Sequence, residues 1–419
     1  MRPSFTSQAV IMGIAAGISA HSPSFKRTNR ALFFSGFSCF ALLYSVQPLM
    51  PLLGREFALT AAQSSLALSV STAALAVSLL LSSLLSDRIG RKPLMGAALT
   101  IAALMTLLCA AAQNYGQFLV MRALLGFALG GMPAVAMTYL SEEVEPGSLG
   151  LSMGLLISGN AFGGMAGRIL VSFMSDFFSW RVAMAAMGVA GLLAAAEFYR
   201  SLPRSRNFRP AEGGLSELGN GLRRQFTDDG MPWLFGMGLL LMGCMVSAYN
   251  FIGFRLLGEP FGLRQSVVGA ISLLYLLGIY SSVWAGRLAD KLGRRRVLWW
   301  LLLAMLAGML ATLSGKLVLI FAGLALFTFC FFASHSVTSS WVGRRAQSAS
   351  ALASALYLFF YYLGSAVIGW LAGVAWGFAG WTGVVALLGS ALAGALLIAL
   401  RLRNLAPAAP AEPARLAAA

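Results

Sequence analysis

The stretch Ser83-Leu84-Leu85-Ser86-Asp87-Arg88-Ile89-Gly90-Arg91-Lys92 sets acidic and basic residues between two apolar runs, and Gly286-Arg287-Leu288-Ala289-Asp290-Lys291-Leu292-Gly293-Arg294-Arg295 repeats it about two hundred residues later. Superposing the copies puts Asp87 on Asp290, Arg88 on Lys291, Gly90 on Gly293 and Arg91 on Arg294, with Ile89 and Leu292 in register. So dense a match marks a duplication, two hydrophobic units that each carry the same charged hairpin after their second long helix. The turn between such helices needs a residue that ends a helix at positive φ, and Gly90 and Gly293 supply it without steric cost. An aspartate at a helix C-terminus opposes the helix dipole, so Asp87 and Asp290 require a nearby arginine or the N-terminus of another helix.

Composition leads to a membrane independently. Charged residues are 11% of the chain and hydrophobic ones 58%, where a soluble domain carries about 25% charge. The formal net charge of +16 does not indicate nucleic acid, because Lys and Arg gather in alternate loops instead of one basic domain. Cys39, Cys109, Cys244 and Cys330 all lie in apolar runs without metal-ligand spacing, as small buried residues do. No Gly-Lys-Ser/Thr phosphate loop and no metal cluster is present, so neither an enzyme nor an ATP-driven pump is expected, and no cofactor or metal.

The fold class that follows is an all-α membrane protein of twelve helices in two pseudo-symmetric six-helix bundles. Spans are expected near 31–53, 64–86, 94–112, 116–140, 149–171 and 181–200, then near 232–254, 267–289, 297–314, 317–341, 350–373 and 377–401. This gives an N-terminal tail over 1–28, a first bundle over 29–200, a linker over 201–231, a second bundle over 232–403 and a disordered Ala/Pro-rich tail over 404–419. The apolar run at 8–20 is too short to cross a bilayer and reads as a tail segment on the membrane surface. Of 30 Lys and Arg, 23 fall in the tails and even-numbered loops and 5 in the odd loops, which places both termini in the cytoplasm. Glu142, Glu143 and Glu145 after the fourth span dissent, with no base beside them in sequence.

The repeated hairpin resembles the Gly-x-Leu-Ala-Asp-Arg-x-Gly-Arg-Lys signature of the major facilitator superfamily, and the likeness runs over roughly residues 28–404. The second copy departs at Lys291; in the first, Ser83 and Ser86 replace a glycine and an alanine, small for small. Tyr44-Ser45-Val46-Gln47-Pro48 and Ala333-Ser334-His335-Ser336 resemble a bacterial inner-membrane branch with drug:proton antiporter-like members. The resemblance implies alternating access by two rocking bundles. It also implies a conformational role for Asp87, Arg88, Gly90, Arg91, Asp290, Lys291, Gly293 and Arg294, with Asp87 facing the start of span eleven near Ser350.

Ionisable groups inside a bilayer are costly, so each is a functional candidate. No carboxylate falls in the middle third of a span, although many exporters of this superfamily carry one in the first or fourth. Arg122 lies two turns into span four in Val120-Met121-Arg122-Ala123-Leu124-Leu125-Gly126, a pattern like the family's, which implies proton transfer or positioning of a polar network. The alternative is an arginine snorkelling to the interface. His335 is the sole histidine of the spans, either titrating near neutral pH or held neutral by Ser334, Ser336 or a carbonyl. Arg168 closes a run in which Gly159, Gly163 and Gly167 recur every four residues, a smooth face for another helix. That run resembles the antiporter motif except at Gly164 and Arg168. Tyr44, Gln47, Asn160, Tyr249, Asn250, Tyr357 and Tyr361 are polar or aromatic at cavity depth, each also readable as a packed interfacial residue. Together they suit a neutral or cationic, partly hydrophobic solute better than a phosphate.

The functional expectation is proton-coupled efflux of small amphiphilic or drug-like compounds by a monomer in the bacterial inner membrane. Uptake or efflux of sugars or other small nutrients is the second reading, and a non-transporting receptor the third. Asp87→Asn is expected to impair transport while leaving insertion intact, and normal flux through that variant would remove the latch role of Asp87.

Overall fold

The structure, a computed structural model, describes residues 17–20, 22–208, 215–346 and 350–405. Most of the surface segment expected at 8–20, the tail beyond 405 and the side chain of Ser350 lie outside the described residues.

Helix starts follow capping chemistry. Ser22 accepts from the Phe25 amide with Pro23 in the first turn, and Thr60 and Gln63 close a reciprocal capping box. Asn114 and Ser179 cap spans four and six by accepting from the amides of Gln117 and Val182. Gly90 at φ +96° and Gly293 at φ +87° end one helix and begin the next within a single residue. That economy explains why span nine, expected near 297–314, runs Arg294–Ala311. Span five, expected near 149–171, runs Pro146–Phe177.

Among the described residues, ten helices are long and apolar enough to cross a membrane: Pro23–Glu56, Ala61–Ser82, Arg91–Ala110, Tyr115–Glu143, Pro146–Phe177, Trp180–Ser201, Met231–Leu257, Gln265–Leu292, Leu317–Arg345 and Leu352–Arg403. The last is divided by non-helical backbone at Ala379 and Gly380 and so supplies spans eleven and twelve. Arg294–Ala311, which opens on three arginines, is span nine. The architecture is therefore twelve helices, in the two-bundle fold.

Among the described residues, spans one and four are interrupted where a proline forbids a continuous ladder, and span eight passes through a 3₁₀ stretch at Ile271–Leu274. Span one leaves α-helix after Tyr44, passes through a 3₁₀ turn at Gln47–Leu49 and resumes at Met50–Glu56, with Pro48 and Pro51 unable to donate. Span four breaks between Leu129 and Pro133 for the same reason.

By contact the chain divides into two compact units, and this division is not the one made by the sequence repeat. One unit comprises Met1–Glu212, Tyr249–Leu273 and Gly369–Gly380. Within it, Gly159, Gly163 and Gly167 face the span-one backbone at Phe33, Phe37 and Ala41, so closely that a Cβ at any of them would collide. The ends of spans seven, eight and eleven belong to this unit because they pack onto spans one, two and five. Gln265 Nε2 donates to the Pro48 carbonyl at 2.5 Å, the Ser266 amide donates to Asp176 at 3.0 Å, and Gly373 lies on the backbone of Ala62. Ile18 pairs in parallel with Val144, its amide donating to the Glu143 carbonyl at 2.7 Å.

The other unit comprises Gly213–Ala248, Leu274–Ile368 and Trp381–Ala419. Its described part opens on the amphipathic helix Leu215–Thr227, within the stretch expected to be only linker. Phe226 of that helix joins an aromatic cluster with Phe235 of span seven and Phe360 of span eleven. Asp228 then caps span seven, accepting from the amides of Gly230 and Met231 at 2.8 Å each, and takes the Arg345 guanidinium at 2.5 Å.

Burial raises the affinity of the Asp228 carboxyl for a proton, but the Arg345 contact and the two amides outweigh it and hold the group below its usual value of 3.8. A carboxyl depressed in the folded state adds stability above its unfolded pKa and loses it as pH falls through the folded one. The apparent Tm of purified protein is therefore expected to fall below about pH 4, and Asp228→Asn to flatten that acid limb while lowering Tm at neutral pH.

Candidate functional site

The two hairpins share a backbone and differ in environment. In the first, Arg91 is 6% exposed and gathers everything around it. Its Nη1 donates to Asp87 at 2.6 Å and to Ser86 Oγ at 2.7 Å, while Nη2 and Nε grip both oxygens of Glu142 at 2.8 and 3.2 Å. The guanidinium also stands 5.0 Å from the centre of the Phe208 ring. Arg88 points outward. Glu142, read from sequence only as a dissenting charge, is thus the second acid on the buried Arg91, held bidentately, and Glu143 accepts from the amides of Arg206 and Asn207. The signal was present: of three acids without a neighbouring base in sequence, Glu142 takes one from elsewhere in the fold and Glu143 takes backbone amides.

In the second hairpin Arg294 reaches Asp290 at 2.8 Å and Arg344 reaches it at 3.2 Å, with Asp290 58% exposed and Lys291 exposed. Pairs this open contribute about 0–1 kcal/mol. Sequence reasoning missed the neighbouring positions: Lys92 donates to the carbonyls of Tyr199 and Leu202 at the end of span six, and Arg295 to those of Arg403 and Leu405 at the end of span twelve. A cation at a helix C-terminus satisfies its last carbonyls and its dipole.

Arg122 does not snorkel. It is fully buried, and its three donors end on the carbonyls of Ala67 at 2.9 Å, Leu42 at 3.2 Å and Leu43 at 2.6 Å. Leu42 and Leu43 stand just before the break in span one, so Arg122 staples that interrupted end to span two.

Two further clusters collect the remaining candidates. In the first unit Arg168 donates through Nε to Gln47 Oε1 and through Nη1 to the Gly164 carbonyl at 2.6 Å, with its Cζ 4.3 Å from the centre of the Tyr44 ring. Gln47 Nε2 donates to Asn250 Oδ1 at 2.6 Å, and Tyr249 lines the same small cavity. Asn160 stands apart from this chain, against Gly36 of span one. In the second unit His335 Nδ1 lies 2.8 Å from Tyr357 Oη, with Tyr361 and Phe331 ring centres 4.7 and 6.1 Å from the imidazole. Arg168 and His335 are therefore in separate settings, one polar and cationic, the other aromatic.

The family model described as Major Facilitator Superfamily matches residues 32–368. The chain belongs to that superfamily. It is 49% identical over 383 residues to the inner membrane transport protein YnfM of Escherichia coli, covering 91% of this chain and 92% of that one. It is 44% identical over 367 residues to the MFS-type transporter YybF of Bacillus subtilis, with 88% and 91% covered. The solved peptide transporter POT, 14% identical, superposes with a TM-score of 0.76 over 94% of this chain and 97% of its own. This major facilitator protein is a multi-pass inner-membrane transporter, and not an enzyme.

Arg122→Lys separates the two roles that the resemblance implies for that residue, positioning of a polar network and proton transfer. A lysine ammonium keeps the charge but cannot span three carbonyls on two helices, so apparent Tm and flux are expected to fall together at every pH. A proton-carrying role would instead shift the pH profile of flux with Tm unchanged.

Proposed function

We propose that the chain exports small, partly hydrophobic organic solutes against protons, by alternating access of the bundles 29–200 and 232–403, with both termini and both charged hairpins in the cytoplasm. The bias of Lys and Arg toward the tails and even-numbered loops supports the orientation. The observation that carries the coupling is the 2.8 Å contact between His335 Nδ1 and Tyr357 Oη. A neutral imidazole can meet a tyrosine hydroxyl as donor or acceptor, whereas an imidazolium only donates. Proton arrival therefore constrains the direction of the bond and the setting of Tyr357, within reach of an aromatic wall of Phe331 and Tyr361 that suits an apolar solute. A proton that binds one end state better than the other shifts their populations by that difference alone.

The test is proteoliposome flux with a panel of amphiphilic solutes under an imposed pH gradient. Gradient-driven accumulation of at least one solute is expected with the unaltered chain. His335→Gln is expected to abolish the gradient dependence while sparing exchange without a gradient. Unaltered gradient-driven flux in His335→Gln, or transport of the solute in the same direction as the proton, would overturn the proposal.

A further inference from the structure

The cluster around Arg168 holds more chemistry than the coupling reading uses. Arg168 is 3% exposed, and its guanidinium meets Gln47 Oε1, the Gly164 carbonyl and the face of Tyr44. Gln47 spends its amide as a relay, accepting from the cation through Oε1 and donating through Nε2 to Asn250 Oδ1 at 2.6 Å. Gln47 and Asn250 are 203 residues apart, the same separation as Asp87 and Asp290, so they occupy equivalent positions in the two repeats. The relay is thus a bond between the repeats at a point where span one is not α-helical, since Gln47 begins the 3₁₀ turn between Tyr44 and Met50.

The far side of the relay ends in an unmade bond. Asn250 is 1% exposed, and its Nδ2 has no hydrogen-bond partner among the described residues. It borders a cavity of about 20 Å³ shared with Gln47, Arg168, Tyr249 and the apolar Ile252 and Val268. That volume holds about one water molecule and nothing larger. Two features follow. The charge and the spare donor both favour an anionic acceptor, because a guanidinium and an amide NH₂ can only donate. Nothing bigger than water can reach both donors while Gln47 stays between them.

We infer that Arg168, Gln47 and Asn250 form an anion-keyed latch. A carboxylate on the solute takes Arg168 and Asn250 Nδ2 in place of the Gln47 amide. Displacement of Gln47 then releases the broken segment of span one from span seven. Planar carboxylates match the guanidinium fork, and once Gln47 has moved the apolar Ile252 and Val268 border the space left for a short hydrocarbon or aromatic body. The solute class is therefore a small monocarboxylate with an apolar body, which departs from the neutral or cationic solute suggested by sequence, where Arg168 could not be placed against Gln47. The inference rests on the transport reading only for its biological use; the latch itself is read without flux.

The test uses the full chain in nanodiscs, with Ile252→Cys as reporter and N-ethylmaleimide labelling of position 252 followed by peptide mass spectrometry. Ile252 is 2% exposed in the latched state, so labelling is expected to be slow. Benzoate should accelerate it roughly tenfold, while benzamide, its uncharged analogue of the same shape, should leave it unchanged. Gln47→Leu in the reporter background should label fast without benzoate, and Arg168→Gln should abolish the benzoate response. Equal acceleration by benzamide, no acceleration by benzoate, or slow labelling in a folded Gln47→Leu protein would overturn the latch. The benzoate and benzamide comparison needs no variant in the cluster. A failed labelling result alongside proton-driven flux defeats the latch alone, and the reverse pattern defeats the transport proposal alone.

Discussion

Inside a bilayer no water stands ready to satisfy a backbone group, so a helix that stops within the membrane must be completed by side chains. Span one stops in this way after Tyr44, and Arg122 completes it through the carbonyls of Leu42 and Leu43 while a third donor reaches Ala67. The rest of the first unit is arranged around that staple. Once the end of span one is fixed, Tyr44 and Gln47 project where Arg168 can meet both, and the glycine face of span five can lie on the helix that precedes the break. The charge of Arg122 is costly in lipid, but three carbonyls on two helices make its removal costlier still.

The duplicated hairpins show how one backbone solution can be put to two electrostatic uses. Positive φ at Gly90 and Gly293 makes the same abrupt turn, and the i,i+4 spacing pairs Asp87 with Arg91 and Asp290 with Arg294. The first pair is part-buried, with its arginine buried, and is doubled by Glu142, while the second is more exposed and shared with Arg344. Solvent screens the second far more than the first, so the two copies are unequal in strength although nearly equal in sequence. The caps by Lys92 and Arg295 on spans six and twelve preserve the symmetry that the acids break.

Much of this is legible in the amino-acid sequence. The repeat, the apolar spans, the glycine turns, the glycine face of span five and the ionisable residues inside the bilayer are all consequences of local chemistry and periodicity. The helix Leu215–Thr227 was not recognised, because a short polar helix among Gly and Arg carries little signal against a linker. Glu142 was visible only as an anomaly, since its partner Arg91 lies 51 residues away in the chain.

The sequence by itself determined the class of the molecule, twelve apolar helices in two related sets, because burial in lipid acts on each segment separately and leaves its mark in composition and spacing. It also determined which side chains were expensive to place in a membrane. Only the tertiary structure decided what satisfies them: Arg122 on a broken helix, Arg168 on Gln47, His335 on Tyr357. Hydrogen bonds and ion pairs are settled within a few ångströms between residues tens to hundreds of positions apart, and no local pattern in a chain encodes that proximity.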